Sequence, residues 1–312
     1  MRVLVIGATG YLGARITRCL SDAGLAVSGL SRSAGKDAIV AEAGGQPLRG
    51  DLADRDGVLA LAREHDAVIY AAQLPLEEEF ACLSALTAAL KGTGRTLIFT
   101  SGTGLLSQRT DGRWSEDTFA EDDAFVPSKY IGERLITETL VRTAGWSGTV
   151  RAMVVRPPMI WGHGGCGHLR HFYRDAGTLG EVGYLGPGLN LYSNVHVDDL
   201  AQVYRLALER GTAGALYHAV AGEVNNRTLA EAVARDMGVP ARSIDFADAV
   251  ERWGKFATLI GMATCSRSRS PRTRRELGWQ PHHEDIMSDI GHAVYRAHAA
   301  QPAQKQDISG PR

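Results

Sequence analysis

The sequence of 312 residues predicts an α/β protein with a doubly wound parallel sheet and a smaller C-terminal lobe. The first observation behind this prediction is an apolar run at residues 3–6 that ends in a glycine-rich turn and leads into a helical apolar pattern. The second is the alternation of strand-length apolar runs with helical segments, which is typical of parallel sheets covered by helices. Further strands are predicted at residues 25–30, 46–48, 66–72, 96–101, 151–155 and 216–220, with helices at residues 77–91 and from residue 128.

The turn after the first strand has the sequence Gly7-Ala8-Thr9-Gly10-Tyr11-Leu12-Gly13. Gly7 allows a sharp turn off the strand, Gly10 allows close approach of a pyrophosphate, and Gly13 allows the helix to pack tightly on the sheet. The N-terminus of that helix offers free N–H groups and a partial positive charge to phosphates. This Rossmann-like strand, turn and helix predict a dinucleotide-binding domain, in preference to a glycine-rich turn that binds nothing.

The end of the second predicted strand carries Ser31, Arg32 and Ser33. They lie about twenty residues past the glycines, where this kind of domain presents side chains to the adenosine ribose. An acidic residue there would bind the ribose hydroxyls of NAD, whereas a guanidinium can bind a 2′-phosphate through two hydrogen bonds. Arg32 therefore favours NADP as the cofactor; the alternative is an arginine in a solvated loop.

Composition excludes several classes of function. The formal net charge is −1, which argues against nucleic acid or an anionic membrane as the main partner. Apolar runs are too short for a membrane-spanning helix, and the N-terminus shows no signal-peptide pattern. The four cysteines are far apart in the sequence, which predicts reduced thiols in a cytoplasmic protein.

The glycine motif at residues 7–13 resembles that of the extended short-chain dehydrogenase/reductases, also called the NAD-dependent epimerase/dehydratase family. Segments at residues 156–162, 194–200 and 277–281 resemble further segments of that family. The resemblance implies that Asp51 approaches the adenine, although Asp51 could also cap the next helix. Ala71 and Ala72 are small enough for a cofactor to pass over the end of the fourth strand. The predicted cofactor-binding residues are Gly7, Thr9, Gly10, Tyr11, Leu12, Gly13, Ser31, Arg32, Ser33, Asp51, Leu52, Ala71, Ala72, Lys129 and Arg156.

The catalytic positions depart from the family pattern. Members usually carry Tyr-x-x-x-Lys, in which the lysine holds the nicotinamide ribose and lowers the pKa of the tyrosine that moves the proton. Ser128 and Lys129 match this pattern, but the position four residues before Lys129 is Phe125, which carries no exchangeable proton. The hydroxyl position after the fifth strand aligns with Gly102. The predicted catalytic residues are therefore Lys129, the flanking hydroxyls Ser101 and Thr103, and Tyr130.

Three functions remain open. The leading hypothesis is an NADP-dependent oxidoreductase that acts on a carbonyl or alcohol of a small organic molecule and uses a non-standard proton donor. The second is a non-redox isomerase, lyase or cyclase, and the third is an inactive NADP-binding regulator. The candidate proton donors are Tyr130, Asp122, Asp123, His163, His168, Tyr184 and Tyr192.

The predicted organisation comprises a dinucleotide-binding domain at residues 1–162, to which residues 192–220 return. Residues 163–191 and 221–300 are predicted to form a substrate lobe, and residues 301–312 a disordered tail. The small-molecule substrate is the predicted partner, and the resemblance implies a possible homodimer.

Two clusters have alternative interpretations. His163, Cys166, His168 and His171 could bind a metal, but their spacing fits no zinc motif, and a loop facing the substrate is favoured. No metal is predicted. The arginine-rich run at residues 267–275 could bind phosphate, although a solvated loop that enters a helix is preferred.

Overall fold

A computed structural model describes residues 1–300; the tail predicted to be disordered, residues 301–312, lies outside the described residues. The strands, in chain order, are β1 (Arg2–Ile6), β2 (Ala26–Ser31), β3 (Gln46–Arg49), β4 (Ala67–Tyr70), β5 (Thr96–Thr100), β6 (Gln108–Arg109), β7 (Arg151–Arg156), β8 (Met159–Trp161), β9 (Val182–Leu185), β10 (Leu191–His196), β11 (Leu216–His218), β12 (Gly222–Asn225), β13 (Ala241–Ile244) and β14 (Thr264–Cys265). The helices are α1 (Tyr11–Asp22), α2 (Ala34–Glu42), α3 (Arg55–Glu64), α4 (Leu76–Leu90), α5 (Arg134–Trp146), α6 (Gly167–Leu179), α7 (Val197–Arg210), α8 (Asn226–Met237), α9 (Phe246–Trp253), α10 (Lys255–Ala257), α11 (Pro271–Leu277) and α12 (Ala293–Ala299). Short 3₁₀ turns occupy Thr103–Leu106 and Ile286–Asp289, and Thr258–Met262 form a π-turn.

Seven parallel strands form the main sheet, in the order β11-β7-β5-β4-β1-β2-β3. This arrangement confirms the predicted doubly wound sheet. Strands β1 to β3 extend the sheet in one direction, and β4 onwards extend it in the other. The order therefore reverses between β1 and β4, and a crevice opens at the carboxyl ends of these strands, where ligands bind in sheets of this type.

The central strand β1 is buried on both faces, as its apolar run predicts. Val3 and Val5 pack into the core beneath α1 and α7, whereas Leu4 and Ile6 pack into the core beneath α3, α4 and α5. Burial of one such side chain contributes about 1.5–3 kcal/mol. The strand thereby fixes the position of the glycine turn that follows Ile6.

A separate apolar cluster lies in the C-terminal half of the described residues. It contains Phe172, Tyr173, Val182, Leu229 and Trp253 from α6, β9, α8 and α9. The predicted domain boundaries stay predictions, but this cluster gives the residues outside the main sheet a core of their own. Among residues 1–300, no helix is both long and apolar enough to cross a membrane.

Helix α5 begins at Arg134, six residues later than the helical pattern predicts. The preceding backbone bonds from the N–H of Ile131 to Ser128 and from that of Arg134 to Ile131 span three residues, not four. These are tight turns of the 3₁₀ type, so the side chains at residues 128–133 follow a different rotation from that of an α-helix. The prediction that Lys129 and Tyr130 lie on a helix is therefore wrong.

Two buried histidines make stability depend on pH. Burial lowers the pKa of His218 to about 3 and that of His168 to about 4, so both are neutral in the folded protein. Below about pH 6.5 the unfolded chain binds protons that the folded chain excludes, and each group then removes about 1.4 kcal/mol of unfolding free energy per pH unit until its folded pKa is reached. We expect His218→Gln to reduce the loss of stability between pH 6.5 and 5 by this amount per pH unit, measured by urea unfolding.

The exposed His282 provides the control for this prediction. Urea unfolding of His282→Gln at the same pH values measures the effect of losing an exposed imidazole, and the slope of His218→Gln is compared with it. Equal slopes for wild-type and His218→Gln would show that His218 is protonated in the folded state.

Candidate functional site

A cleft of about 790 Å³ opens at the carboxyl ends of β1 and β4, where the strand order reverses. Its walls come from the glycine turn, from the segments after β2, β3 and β4, and from the end of β5. The residues that line it include Gly7, Thr9, Gly10, Tyr11, Leu12, Gly13, Arg32, Lys36, Asp51, Leu52, Arg55, Ala71, Ala72, Gln73, Leu74, Glu78, Thr100, Ser101, Arg134, Pro157 and Ile160. Most of the predicted cofactor residues thus lie together in one cleft.

The glycine turn has the shape that a dinucleotide diphosphate requires. Gly7 has a φ of +93°, and a Cβ on Gly13 would lie 2.1 Å from the carbonyl oxygen of Gly7. A Cβ on Gly10, in contrast, would meet only the Gly7 oxygen, at 3.3 Å, so the other side of Gly10 is open. Within residues 1–300 no side chain caps α1, which leaves its first N–H groups free for phosphate oxygens.

Cationic side chains lie at the end of the cleft beside β2 and β3, where the adenosine ribose is expected from the sequence. Arg32 follows β2, Lys36 lies in the first turn of α2, and Arg55 begins α3; all three are exposed. Of these residues, Arg32 is singled out from the sequence and Lys36 is missed. Lys36 lies in the first turn of α2, so it stays near the carboxyl end of β2, the strand that precedes this helix.

Several residues near this end have local structural contacts. The hydroxyl of the buried Ser31 donates to the carbonyl oxygen of Ser33, and Ser33 precedes α2. Neither serine is among the described residues that line the cleft. Asp51 lines it, and its carboxylate accepts from the N–H of Ala53. Asp54, not Asp51, is the residue that caps α3.

The opposite end of the cleft lies beside the end of β5. Ser101 lines the cleft, and the hydroxyl oxygens of Ser101 and Thr103 are buried without a hydrogen-bond partner among the described residues. A buried hydroxyl without a partner costs about 1–3 kcal/mol, and these two are open to a ligand or a water molecule.

Comparison with known proteins places this chain in a family. A sequence model of the NAD dependent epimerase/dehydratase family matches residues 3–221. The chain belongs to this family. A Schizosaccharomyces pombe protein described as uncharacterized is 33% identical over 307 residues, covering 95% of this chain and 100% of the relative. The 3-diazoavenalumate denitrifying reductase of a Streptomyces species is 26% identical, covering 93% of this chain and 99% of the relative.

Solved structures agree with the fold. The UDP-glucose 4-epimerase of Thermus thermophilus in complex with NAD has a TM-score of 0.71 at 24% identity and covers 96% of this chain and 99% of its own. The dTDP-glucose 4,6-dehydratase of Streptomyces venezuelae, with NAD bound, has a TM-score of 0.75 at 19% identity and covers 95% and 96%. Membership of the epimerase/dehydratase family makes this chain an enzyme of the epimerase or reductase type that uses a nicotinamide cofactor.

The position that holds tyrosine in the family pattern is outside the cleft. The ring of Phe125 packs against Phe119, with centroids 6.2 Å apart, and the guanidinium of Arg156 lies 5.1 Å above it. Arg156 is itself buried and forms a bidentate pair with the carboxylate of Glu138. Phe125 and Arg156 are therefore packing partners, and Arg156 does not line the cleft as predicted.

Lys129 and Tyr130 also lie outside the lining of the cleft. The exposed ammonium of Lys129 lies 5.0 Å from the centre of the Tyr130 ring, and Tyr130 lies beside Arg109. The tight turns before α5 carry both side chains away from the position that an α-helix would give them.

The remaining candidate proton donors divide into two groups. Asp122 and Asp123 pair with Arg272 and Arg269, Tyr184 lies beneath Arg227, and His163 pairs with Asp198. Tyr192 and His168 instead pack together, with ring centroids 5.2 Å apart, and the Tyr192 hydroxyl lies 4.0 Å from where a Cβ on Gly104 would be. Tyr192 therefore lies against the segment that follows β5, and His168 lies against Gly261.

The histidine-rich loop does not gather its members around one point. Cys166 is buried and His168 half-buried, whereas His163, with His196 and Asp198, forms the group whose ligand atoms lie within 4.8 Å of one another. The Nδ1 of His196 already accepts the N–H of Asp198 and caps α7, and the guanidinium of Arg15 lies 3.8 Å from Asp198. These contacts compete with a metal ion for the same lone pair and the same carboxylate.

The arginine-rich run makes contacts within the protein. Arg267 binds Glu223, and Arg269 and Arg272 bind acidic side chains of residues 122–123. Arg274 lies over the ring of Trp279 and donates to the carbonyl of Val220. The run therefore joins the loop before α11 to neighbouring segments, and this supports the preferred structural interpretation.

Proposed function

We propose that this chain is an NADP-dependent oxidoreductase that acts on a carbonyl or alcohol of a small organic molecule. The observation that carries the proposal is the pair of cations, Arg32 and Lys36, at the adenosine end of a cleft with an intact glycine turn. The nearby carboxylate of Asp37 pairs with Arg49, 2.7 Å away, and is not among the described residues of the cleft. The 2′-phosphate of NADP would therefore meet positive charge, which it needs for charge-assisted hydrogen bonds.

The names of the relatives support carbonyl and alcohol chemistry. Besides the Streptomyces reductase, they include a 2-alkyl-3-oxoalkanoate reductase of Stenotrophomonas maltophilia, 27% identical over 229 residues. A UDP-glucose 4-epimerase of Azospirillum brasilense, 26% identical over 332 residues, instead supports the alternative, a non-redox isomerase. Phe125 favours that alternative too, because the usual phenol is absent. Binding of NADPH without any turnover would instead support an inactive regulator.

Under this proposal the bound cofactor supplies the hydride, and the chain supplies the proton and the binding contacts. We assign the proton to the phenol of Tyr192. Tyr192 is not among the described residues that line the cleft, but its hydroxyl lies beside Gly104, three residues after Ser101, which does line it. Burial raises the pKa of Tyr192, and burial lowers the pKa of His168 to about 4, so both are neutral at pH 7. The phenol therefore has its proton available for the developing alkoxide.

The experiment that tests this proposal is a screen of aldehydes and ketones with the purified protein and NADPH. Oxidation of one NADPH per alcohol formed is the expected result. A product formed at constant NADPH would establish the isomerase instead.

We also propose that two copies associate through α4 and α5. These helices pack together and expose an apolar groove lined by Phe80, Leu135, Ile136 and Leu140. In a symmetric dimer each copy contributes the same face to the interface, so the groove of one copy would be covered by the groove of the other. Light scattering should give the mass of two chains, and Ile136→Glu should give the mass of one.

A further inference from the structure

We propose that Arg134, held by the buried carboxylate of Glu79, is the cation that binds the nicotinamide-side phosphate and ribose of the cofactor. This inference rests on the proposed function, because it concerns the half of NADP that lies beyond the adenosine. It assigns to the first residue of α5 a role that the family pattern gives to Lys129.

The contact between Arg134 and Glu79 fixes the guanidinium. Nε and Nη2 of Arg134 donate to the two carboxylate oxygens of Glu79, at 2.8 and 3.0 Å. This two-pronged geometry uses one edge of the guanidinium and leaves Nη1 with its two N–H groups for another acceptor. Glu79 lies in the first turn of α4, so the pair joins the N-terminal ends of α4 and α5 at the edge of the sheet where ligands bind.

The burial of Glu79 indicates why Arg134 stays in this place. The Glu79 side chain has no exposed surface, and its burial raises the pKa of the carboxyl, which the charge of Arg134 lowers again. An unpaired carboxylate there would be costly, so the arginine cannot leave without a large penalty. A side chain that is already fixed loses little rotamer freedom when a ligand binds.

The position of Arg134 in the cleft identifies what it would bind. Among the described residues of the cleft, Arg32, Lys36 and Arg55 supply positive charge at the adenosine end. Arg134 supplies it at the other end, where Gln73, Leu74, Thr100 and Ser101 form the wall. Its side chain is 19% exposed, and Arg134 is among the residues that line the cleft. A dinucleotide that spans the cleft would bring its second phosphate and ribose to this end.

Lys129, the lysine of the family pattern, is not placed to bind a cofactor in the cleft. The Lys129 ammonium is exposed and lies over the Tyr130 ring, outside the lining of the cleft. Arg134 comes five residues later in the sequence, after the tight turns that delay the start of α5. Substitution of Arg134 and substitution of Lys129 should therefore have different effects on the affinity for NADPH.

The test compares NADPH with adenosine 2′,5′-bisphosphate, which lacks the nicotinamide half. The variant is Glu79→Gln with Arg134→Gln, in which both charges are removed together so that no buried charge is left without a partner. We expect NADPH affinity to fall 10- to 100-fold, as for loss of a charged hydrogen bond, while affinity for the bisphosphate changes by less than twofold. Lys129→Gln should leave both affinities unchanged.

A second variant separates binding from folding. Arg134→Lys keeps the positive charge beside Glu79 but loses the fork of donors, so NADPH affinity should fall less than in the double variant. Equal losses for NADPH and the bisphosphate would show a structural role and overturn the inference, as would unchanged NADPH affinity in both Arg134 variants. Failure of the wild-type protein to bind either ligand would overturn the proposed function as well. Normal binding by the wild-type protein, with a large loss of NADPH affinity only in Lys129→Gln, would overturn the role of Arg134 alone.

Discussion

Replacing Arg32 and Lys36 together by alanine lowers NADPH affinity about 100- to 10,000-fold and leaves NADH affinity within about twofold. Both cations face the end of the cleft that would hold the adenosine ribose. Each would make a charge-assisted hydrogen bond to the 2′-phosphate, and such a bond contributes about 1.5–3 kcal/mol. Because NADH has hydroxyls at that ribose and no phosphate, it loses none of this energy. Fluorescence titration of each variant with both cofactors measures the effect.

A charge-matched control is needed, since removal of two cations changes the field around the whole protein. Arg63→Ala with Lys91→Ala removes two exposed positive charges that lie outside the described lining of the cleft. This control should bind NADPH as the wild-type protein does. A similar loss in the control would show a general electrostatic effect, and an equal loss of NADH affinity in the Arg32 and Lys36 variant would show damage to the cleft.

Tyr192→Phe reduces the turnover of carbonyl reduction about 100- to 10,000-fold, the range expected when a general acid is removed. The substitution deletes one hydroxyl and keeps the ring that packs against His168. NADPH affinity should remain unchanged, because Tyr192 is not among the described residues that line the cleft. Turnover under saturating NADPH, measured beside the dissociation constant, distinguishes loss of the proton from loss of the cofactor.

Phe125→Tyr is the matched control for this prediction, because it adds a phenol at the family position. Its ring would lie between Phe119 and Arg156, so we expect no gain of turnover and no rescue of Tyr192→Phe. Full activity in Tyr192→Phe, or rescue by Phe125→Tyr, would mean that the proton takes another route.

The glycine turn and most of the sheet could be predicted from the sequence because their signals are local. A buried parallel strand is a short apolar run, and a glycine where a Cβ would strike the backbone is needed whatever surrounds it. The alternation of Val3 and Val5 with Leu4 and Ile6 into two cores follows from the same run. These features require no knowledge of distant parts of the chain.

The catalytic end of the cleft could not be predicted in the same way. Tyr192 reaches the segment near Gly104 only because β10 and its neighbours fold back against it, a contact between residues 88 positions apart that no local pattern records. Arg134 lines the cleft and Lys129 does not, because residues 128–133 form tight turns and not the first turns of α5. The burial of Arg156 likewise depends on Glu138, which lies on α5.

An equilibrium titration of the wild-type protein with NADPH and NADH, followed by nicotinamide fluorescence, tests the assignment of the cleft to NADP. We expect both cofactors to bind in the cleft at the ends of β1 and β4, with NADPH at least tenfold tighter. Equal affinity for the two cofactors, or tighter binding of NADH, would contradict the assignment of Arg32 and Lys36 to the 2′-phosphate.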